Sequence, residues 1–309
     1  MHGGISRPDN VTKTAMSIME SRYKVTKRDS LSVPILLENP KDWMLCTPED
    51  VVTRDRFHIF AVKGSKSVDD WLDNLDGGED PKVQRGLLKE GKQMYDAAAG
   101  TLRDLLSKDE RVVFTGHSGG GAVAAYVYKE LYREAVEARE SWKMDCIVFG
   151  SAATSNEQVT FPVPGMPGEH GNQTLGERNK DTDPINNNTN IRIAFCNRYD
   201  PVPRATTSYV YWFLNNWNRY HEASKKDQVT ATPLPTDTLV PFGQIVTLVQ
   251  EGNATKARWL TREEFQQVVY LDPTRHAMTV YLGSVLRLLK QSGYDGIDEG
   301  MWSVVNSAG

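Results

Sequence analysis

The sequence predicts an α/β fold: a mostly parallel central sheet flanked by helices. Three observations carry this. Short β-branched, apolar runs recur at 56–64 (RFHIFAVKG), 111–116 (RVVFTG), 145–150 (DCIVFG), 191–196 (IRIAFC) and 244–249 (QIVTLV). These runs are apolar on both alternating sets, the pattern of strands covered on both faces. Stretches of helical period separate several of them, and strands alternating with helices build parallel sheets.

The helices follow from their apolar spacing. In 83–107, Leu87, Gly91, Met94, Tyr95, Ala98, Leu102 and Leu105 recur at steps of three and four, giving one apolar face. A second helix runs from Gly120 to about Trp142, with a charged far face (YKELYREAVEARE). The last covers 276–291 (HAMTVYLGSVLRLLKQ). The connection 151–190 is rich in Pro, Gly and Asn, and a loop of that length is usually functional or disordered. The chain reads as one domain over 1–309, with residues 1–50 an N-terminal extension that fits no clear element.

Composition narrows the function classes. The chain has 309 residues and a formal charge of -4, enough to bury one large core or two modest ones. The mild negative charge, with no basic stripe, argues against nucleic acid. Runs such as HIFAV and SYVYWFL fall short of the roughly 18 apolar residues that span a bilayer. The start, MHGGISRPDNVTKTAM, has no apolar signal-peptide core. A cytoplasmic location is therefore expected, and secretion stays open if a leader was removed. Cys146 and Cys196 sit in strand-like runs and read as buried thiols. With no HExxH, no Cys pair at zinc spacing and no phosphate-cradling Gly-rich loop, no metal or cofactor is expected.

The chemistry gathers at VVFTGHSGGGAVAAYV, 112–127. GHSGG fits G-x-S-x-G with a strand before it and a helix after it, the context that pattern requires. Gly116 and Gly120 let strand and helix pack closely, so the turn lifts the Ser118 hydroxyl above the sheet edge. The plain alternative is a glycine-rich loop without chemistry, and the strand-to-helix context favours the nucleophile. His117, adjacent on the tight turn, points elsewhere and reads as a packing or hydrogen-bonding residue.

A serine needs a base to take its proton. In sheets of this kind the chain order is Ser, then an acid, then His. Asp200 in AFCNRYDPVPR follows the run 191–196 and precedes Pro201. Asp183, Asp237 and Asp272 lie in polar loops and are weaker. Beyond Asp200 the only histidines are His221 and His276. His276, in a loop that opens a helix, suits a base that must reach over the sheet edge, with His221 as the fallback. An oxyanion hole needs pre-set donors: the Gly119 N–H, just after the nucleophile, and Ser65 in FAVKGSKSVDDW.

Together these segments resemble the class 3 lipase family, the filamentous-fungal type of triacylglycerol lipase. The resemblance runs over about residues 56 to 290, in order: AVKGSKSVDDWLDNL, VQRGLLKEGKQMYDAAAGTLRDLL, the elbow, CIVFGSAATSN, CNRYDPVPR and HAMTVYL. It implies an α/β-hydrolase fold, Ser118 as nucleophile, Asp200 as acid and His276 as base. Ser65 and Gly119 would hold the oxyanion, and about 67–81 would form a lid carrying Trp71. The sequence departs from the family at Lys63, where Arg is usual, at Gly119, where Leu is common, and at Gln84, where His is usual. The loop 151–190 is also longer than in the family. Some members have lost catalysis, and the intact Ser, Asp and His speak against that here.

The lid-like segment carries Asp69, Asp70, Asp73, Asp76, Glu79 and Asp80, with no basic residue between Ser67 and Pro81. Val68, Trp71, Leu72 and Leu75 fall at helical spacing and would make one apolar face. An anionic lid favours neutral glycerides or soluble esters over acidic phospholipids. The aromatic run Tyr209, Tyr211, Trp212, Phe213, Leu214, Trp217 and Tyr220 would line an acyl tunnel, touch a membrane surface or pack in the core. The expected partner is a lipid or ester, at a lipid–water interface, with no nucleic acid and no transmembrane segment. A phospholipase A1, a feruloyl-type esterase, an acyltransferase and a catalytically silent lipid- or protein-binding module stay open as alternatives.

Overall fold

A computed structural model describes residues 23–30, 42–48, 57–64, 85–154, 190–222, 233–235, 239–268 and 272–294. Among these residues, eight strands form one sheet in chain order. They are β1 (Tyr23–Ser30), β2 (Asp42–Pro48), β3 (Phe57–Val62), β4 (Arg111–His117), β5 (Met144–Phe149), β6 (Arg192–Asn197), β7 (Gln244–Glu251) and β8 (Ala254–Leu260). Strands β3 to β7 run parallel; β1, β2 and β8 add antiparallel edges. The parallel centre is made of the five runs read as strands. Strands β1 and β2 come from the first 50 residues, which sequence reasoning left unassigned.

Among the described residues, five helices accompany the sheet: α1 (Arg85–Leu106), α2 (Gly119–Ala138), α3 (Thr207–Glu222), α4 (Arg262–Gln267) and α5 (Met278–Gln291). The apolar faces of α1 and α2 pack on each other and on one face of β3, β4 and β5. On that face Trp43, Phe60, Phe114 and Tyr128 form an aromatic run, with centroids 5.3–5.6 Å apart. Burying each such ring stabilises the fold by roughly 1.5–3 kcal/mol. On the opposite face Val246, Leu248 and Tyr281 pack with Phe149 and Phe195, so α5 covers the sheet there. Strands β5 and β7 bury residues on both faces, whereas β3 and β4 alternate buried and half-buried positions.

Two elements differ from expectation. Helix α2 stops at Ala138, short of Trp142, because Arg139 turns left-handed at φ 57° and its N–H closes on the Ala135 and Val136 carbonyls. The aromatic run is the helix α3: Tyr209 is buried and stacks on Trp212, while Tyr211 is 64% exposed. Core packing therefore accounts for only part of it. Cys46, Cys146 and Cys196 are free and buried, and burial pushes the Cys146 thiol up to about 12. Among the described residues, no helix is long and apolar enough to cross a membrane. None of the described His, Cys, Asp and Glu side chains gather in groups that could hold a metal ion.

Candidate active site

The elbow follows from two glycines. A Cβ on Gly116 would lie 2.6 Å from the Gly120 backbone, and one on Gly120 would lie 2.5 Å from the Val62 and Lys63 backbones. No side chain fits at either place, so β3, β4 and the start of α2 touch through bare backbone. Ser118 sits between them, with φ 59° and ψ -134°. A non-glycine residue adopts this conformation only when its surroundings hold it there. Here the Ser118 N–H donates to the Phe149 carbonyl at 3.0 Å, while its own carbonyl accepts from the Gly121 and Ala122 N–H groups. The Ser118 side chain caps nothing, so its hydroxyl is not spent on holding the helix.

Gly119 is the first residue of α2, and its N–H is among those an α-helix leaves without an intrahelical partner. The helix N-terminus adds a partial positive charge beside Ser118. Gly64, at the end of β3, backs directly onto this turn; its Cβ position lies 2.7 Å from the His117 carbonyl oxygen. Ser65 and the lid positions Val68, Trp71, Leu72 and Leu75 lie outside the described residues.

Asp200 follows β6 and is completely buried. Its carboxylate is met by three donors. The Val202 N–H donates to Oδ1 at 2.9 Å, Tyr281 Oη donates to Oδ2 at 2.6 Å, and His276 Nδ1 lies 2.9 Å from the same Oδ2. A carboxylate only accepts, so Nδ1 of His276 carries the proton and Nε2 keeps its lone pair. Burial and the Asp200 charge push the Tyr281 hydroxyl well above its usual range, which keeps it a donor. Gly150, at φ 51°, leaves the space: a Cβ there would lie 3.0 Å from both Asp200 Oδ2 and Tyr281 Oη.

His276 ends a short 3-10 turn, Pro273–His276. Such turns are weakly held by themselves. Side chains tether this one: Asn197 Nδ2 donates to the Arg275 carbonyl at 2.9 Å, and Arg275 Nη1 donates to Gln250 Oε1 at 2.7 Å. The structure brings Asp200 and His276 together, and His276 against the residue before Ser118. Asp272 instead caps the 3-10 turn, and His221 lies in the last turn of α3. Asp183 and Asp237 fall outside the described residues. Sequence reasoning missed Tyr281 and Asn197. Tyr281 reads as one more apolar position of the last helix, and Asn197 as a strand end.

The model of the class 3 lipase family matches residues 59–210. This segment, just under half of the chain, is of the class 3 lipase family. The segment contains Ser118, Gly119 and Asp200 and ends before His276. The chain is accordingly a carboxylic ester hydrolase of the lipase type. Among solved structures, it is similar to the Rhizomucor miehei lipase propeptide complex at 15% identity and a TM-score of 0.50, over 83% of this chain and 68% of that one. A deletion mutant of that complex matches with the same score and identity, over 83% of this chain and 67% of that one. At this identity the likeness is one of fold, the α/β-hydrolase arrangement of this lipase. No curated protein matches the chain.

Proposed function

We propose that this class 3 lipase cleaves neutral acylglycerols through Ser118, His276 and Asp200. The observation that carries the reading is the Asp200–His276 pair, 2.9 Å apart and leaving His276 Nε2 unprotonated, with His276 stacked on the residue before a strained serine at a helix N-terminus. Ser118 Oγ attacks the ester carbonyl carbon while His276 Nε2 takes its proton. Asp200 stabilises the imidazolium that forms. The Gly119 N–H, with the N–H and hydroxyl of Ser65, holds the oxyanion of the tetrahedral intermediate. His276 then gives its proton to the departing alkoxide, leaving an acyl group on Ser118. A water, deprotonated by His276, attacks that acyl group; the acid is released and Ser118 recovers its proton.

A series of p-nitrophenyl esters, short to long acyl, tests this with and without an interface. Turnover well above buffer supports the reading, and the preferred chain length separates lipase from esterase. No turnover at any length would point to a lipid- or protein-binding module.

The acidic segment from Ser67 to Pro81 serves as the lid in this reading, with Val68, Trp71, Leu72 and Leu75 as its apolar residues. Six carboxylates would repel an anionic surface. The expected result is higher activity on zwitterionic than on anionic vesicles carrying the same glyceride, with the gap shrinking as salt is added. Equal or higher activity on anionic vesicles would contradict it.

A further inference from the structure

We propose that His117 is a positioning residue for the base: it holds the His276 main chain by a hydrogen bond and fixes the plane of the His276 ring by stacking on it. The proposal rests on the reading of His276 as the base.

His117 is the last residue of β4, immediately before Ser118. Its Nε2 lies 2.7 Å from the His276 carbonyl oxygen. A carbonyl only accepts, so Nε2 is the protonated nitrogen. The two imidazoles stack with centroids 4.4 Å apart and planes 29° apart. The Tyr281 ring meets His117 edge-on at 5.7 Å. Two successive carbonyls of the base's loop are thus held by side-chain donors, Arg275 by Asn197 and His276 by His117. One residue pair therefore ties the base to the rigid strand end that carries the nucleophile. A base held this way approaches Ser118 Oγ in one orientation, where small misplacements cost rate steeply.

The stack also sets a charge requirement. His276 becomes an imidazolium during each half-reaction, and a second positive ring at this distance would oppose it. The titratable groups facing His117 are His276 from the 3-10 turn, Asp200 after β6 and Tyr281 from α5. Burial, then the neighbouring His276, hold the His117 pKa down to about 4. His117 stays neutral wherever His276 works as a base.

Two variants separate the interactions. H117Q keeps a donor near the Nε2 position and loses the ring, while H117F keeps a ring and loses the donor. Wild type and both variants are assayed on p-nitrophenyl butyrate across pH, with active sites counted by a fluorophosphonate. Per active site, each variant is expected to lose about 10- to 100-fold in kcat with KM little changed. The pH profile of kcat/KM should differ in shape between H117F and wild type. Variants matching wild type per active site in kcat and pH profile, the loss tracking only the number of folded sites, overturn the proposal alone. A wild type that takes no fluorophosphonate and hydrolyses no ester overturns the triad reading and this proposal with it.

Discussion

Replacing Ser118 by alanine is expected to lower kcat on any ester this enzyme turns over by about 10⁴- to 10⁶-fold. The residual rate would come from substrate binding and the oxyanion donors, which the substitution leaves in place. Stability should barely change. The Ser118 side chain makes no capping bond to α2, and alanine keeps a Cβ at the same φ of 59°. Ser118→Gly sharpens the point. Glycine adopts positive φ freely, so this variant should be equally inactive yet more stable, by about 1 kcal/mol. Thermal unfolding beside steady-state kinetics checks both. Loss of activity accompanied by unfolding in Ser118→Ala would mean that the serine is structural.

The second large effect belongs to Asp200→Asn, expected to cost about 10⁴-fold in kcat. The reason lies in the donors around the carboxylate. Oδ1 meets the Val202 N–H, and Oδ2 meets both the Tyr281 hydroxyl and His276 Nδ1. An asparagine must turn its NH₂ toward one of these sides. Facing Val202, it sets two donors against each other in a buried site. Facing His276, it forces the ring to accept at Nδ1 and so places the proton on Nε2, where a base needs a lone pair. Tyr281→Phe separates the contributions: it removes one donor from Oδ2 while His276 keeps its bond, and the loss should be far smaller. A pH profile and kcat for the three proteins read this out. An Asp200→Asn enzyme with near-normal kcat would rule Asp200 out as the group that sets the tautomer of the base.

Much of this site is legible in the sequence because its geometry is imposed by residues that permit few alternatives. Gly116 and Gly120 are glycine because backbone lies within 2.6 Å of where a Cβ would be, and that need appears in the sequence as G-x-S-x-G. Asp200 is legible from its place after an apolar run and before Pro201. His276 is legible from chain order, since only one other histidine follows Asp200. The supporting residues are not legible in this way. Tyr281 is one apolar-looking position on an apolar helix, and only the fold brings its hydroxyl to Asp200. Gly150 follows β5 like any glycine just past a strand, although its missing Cβ makes room for Asp200 and Tyr281.

The fold shows the same division. The central strands read as apolar runs, and β5 and β7 bury residues on both faces. The edge strand β8 carries exposed Lys256 and Arg258, charges that suit an edge and hide the strand from a hydrophobic reading. The helix α4 did leave a trace: Thr261 and Glu264 form a reciprocal capping box, and T-x-x-E is visible in the sequence. The α3 run stands out by its aromatic composition, which masks its helical spacing.

The mechanism stands or falls on Ser118 as a covalent nucleophile. The most direct measurement is intact-mass and peptide mapping after incubation with diethyl p-nitrophenyl phosphate. Attack by Ser118 Oγ on phosphorus forms a Ser–O–P bond, expels p-nitrophenolate and passes the serine proton to His276. The expected result is a single diethylphosphoryl adduct, on Ser118, with one p-nitrophenol released per adduct and none formed by Ser118→Ala. An adduct on another residue, or equal labelling of wild type and Ser118→Ala, would contradict it.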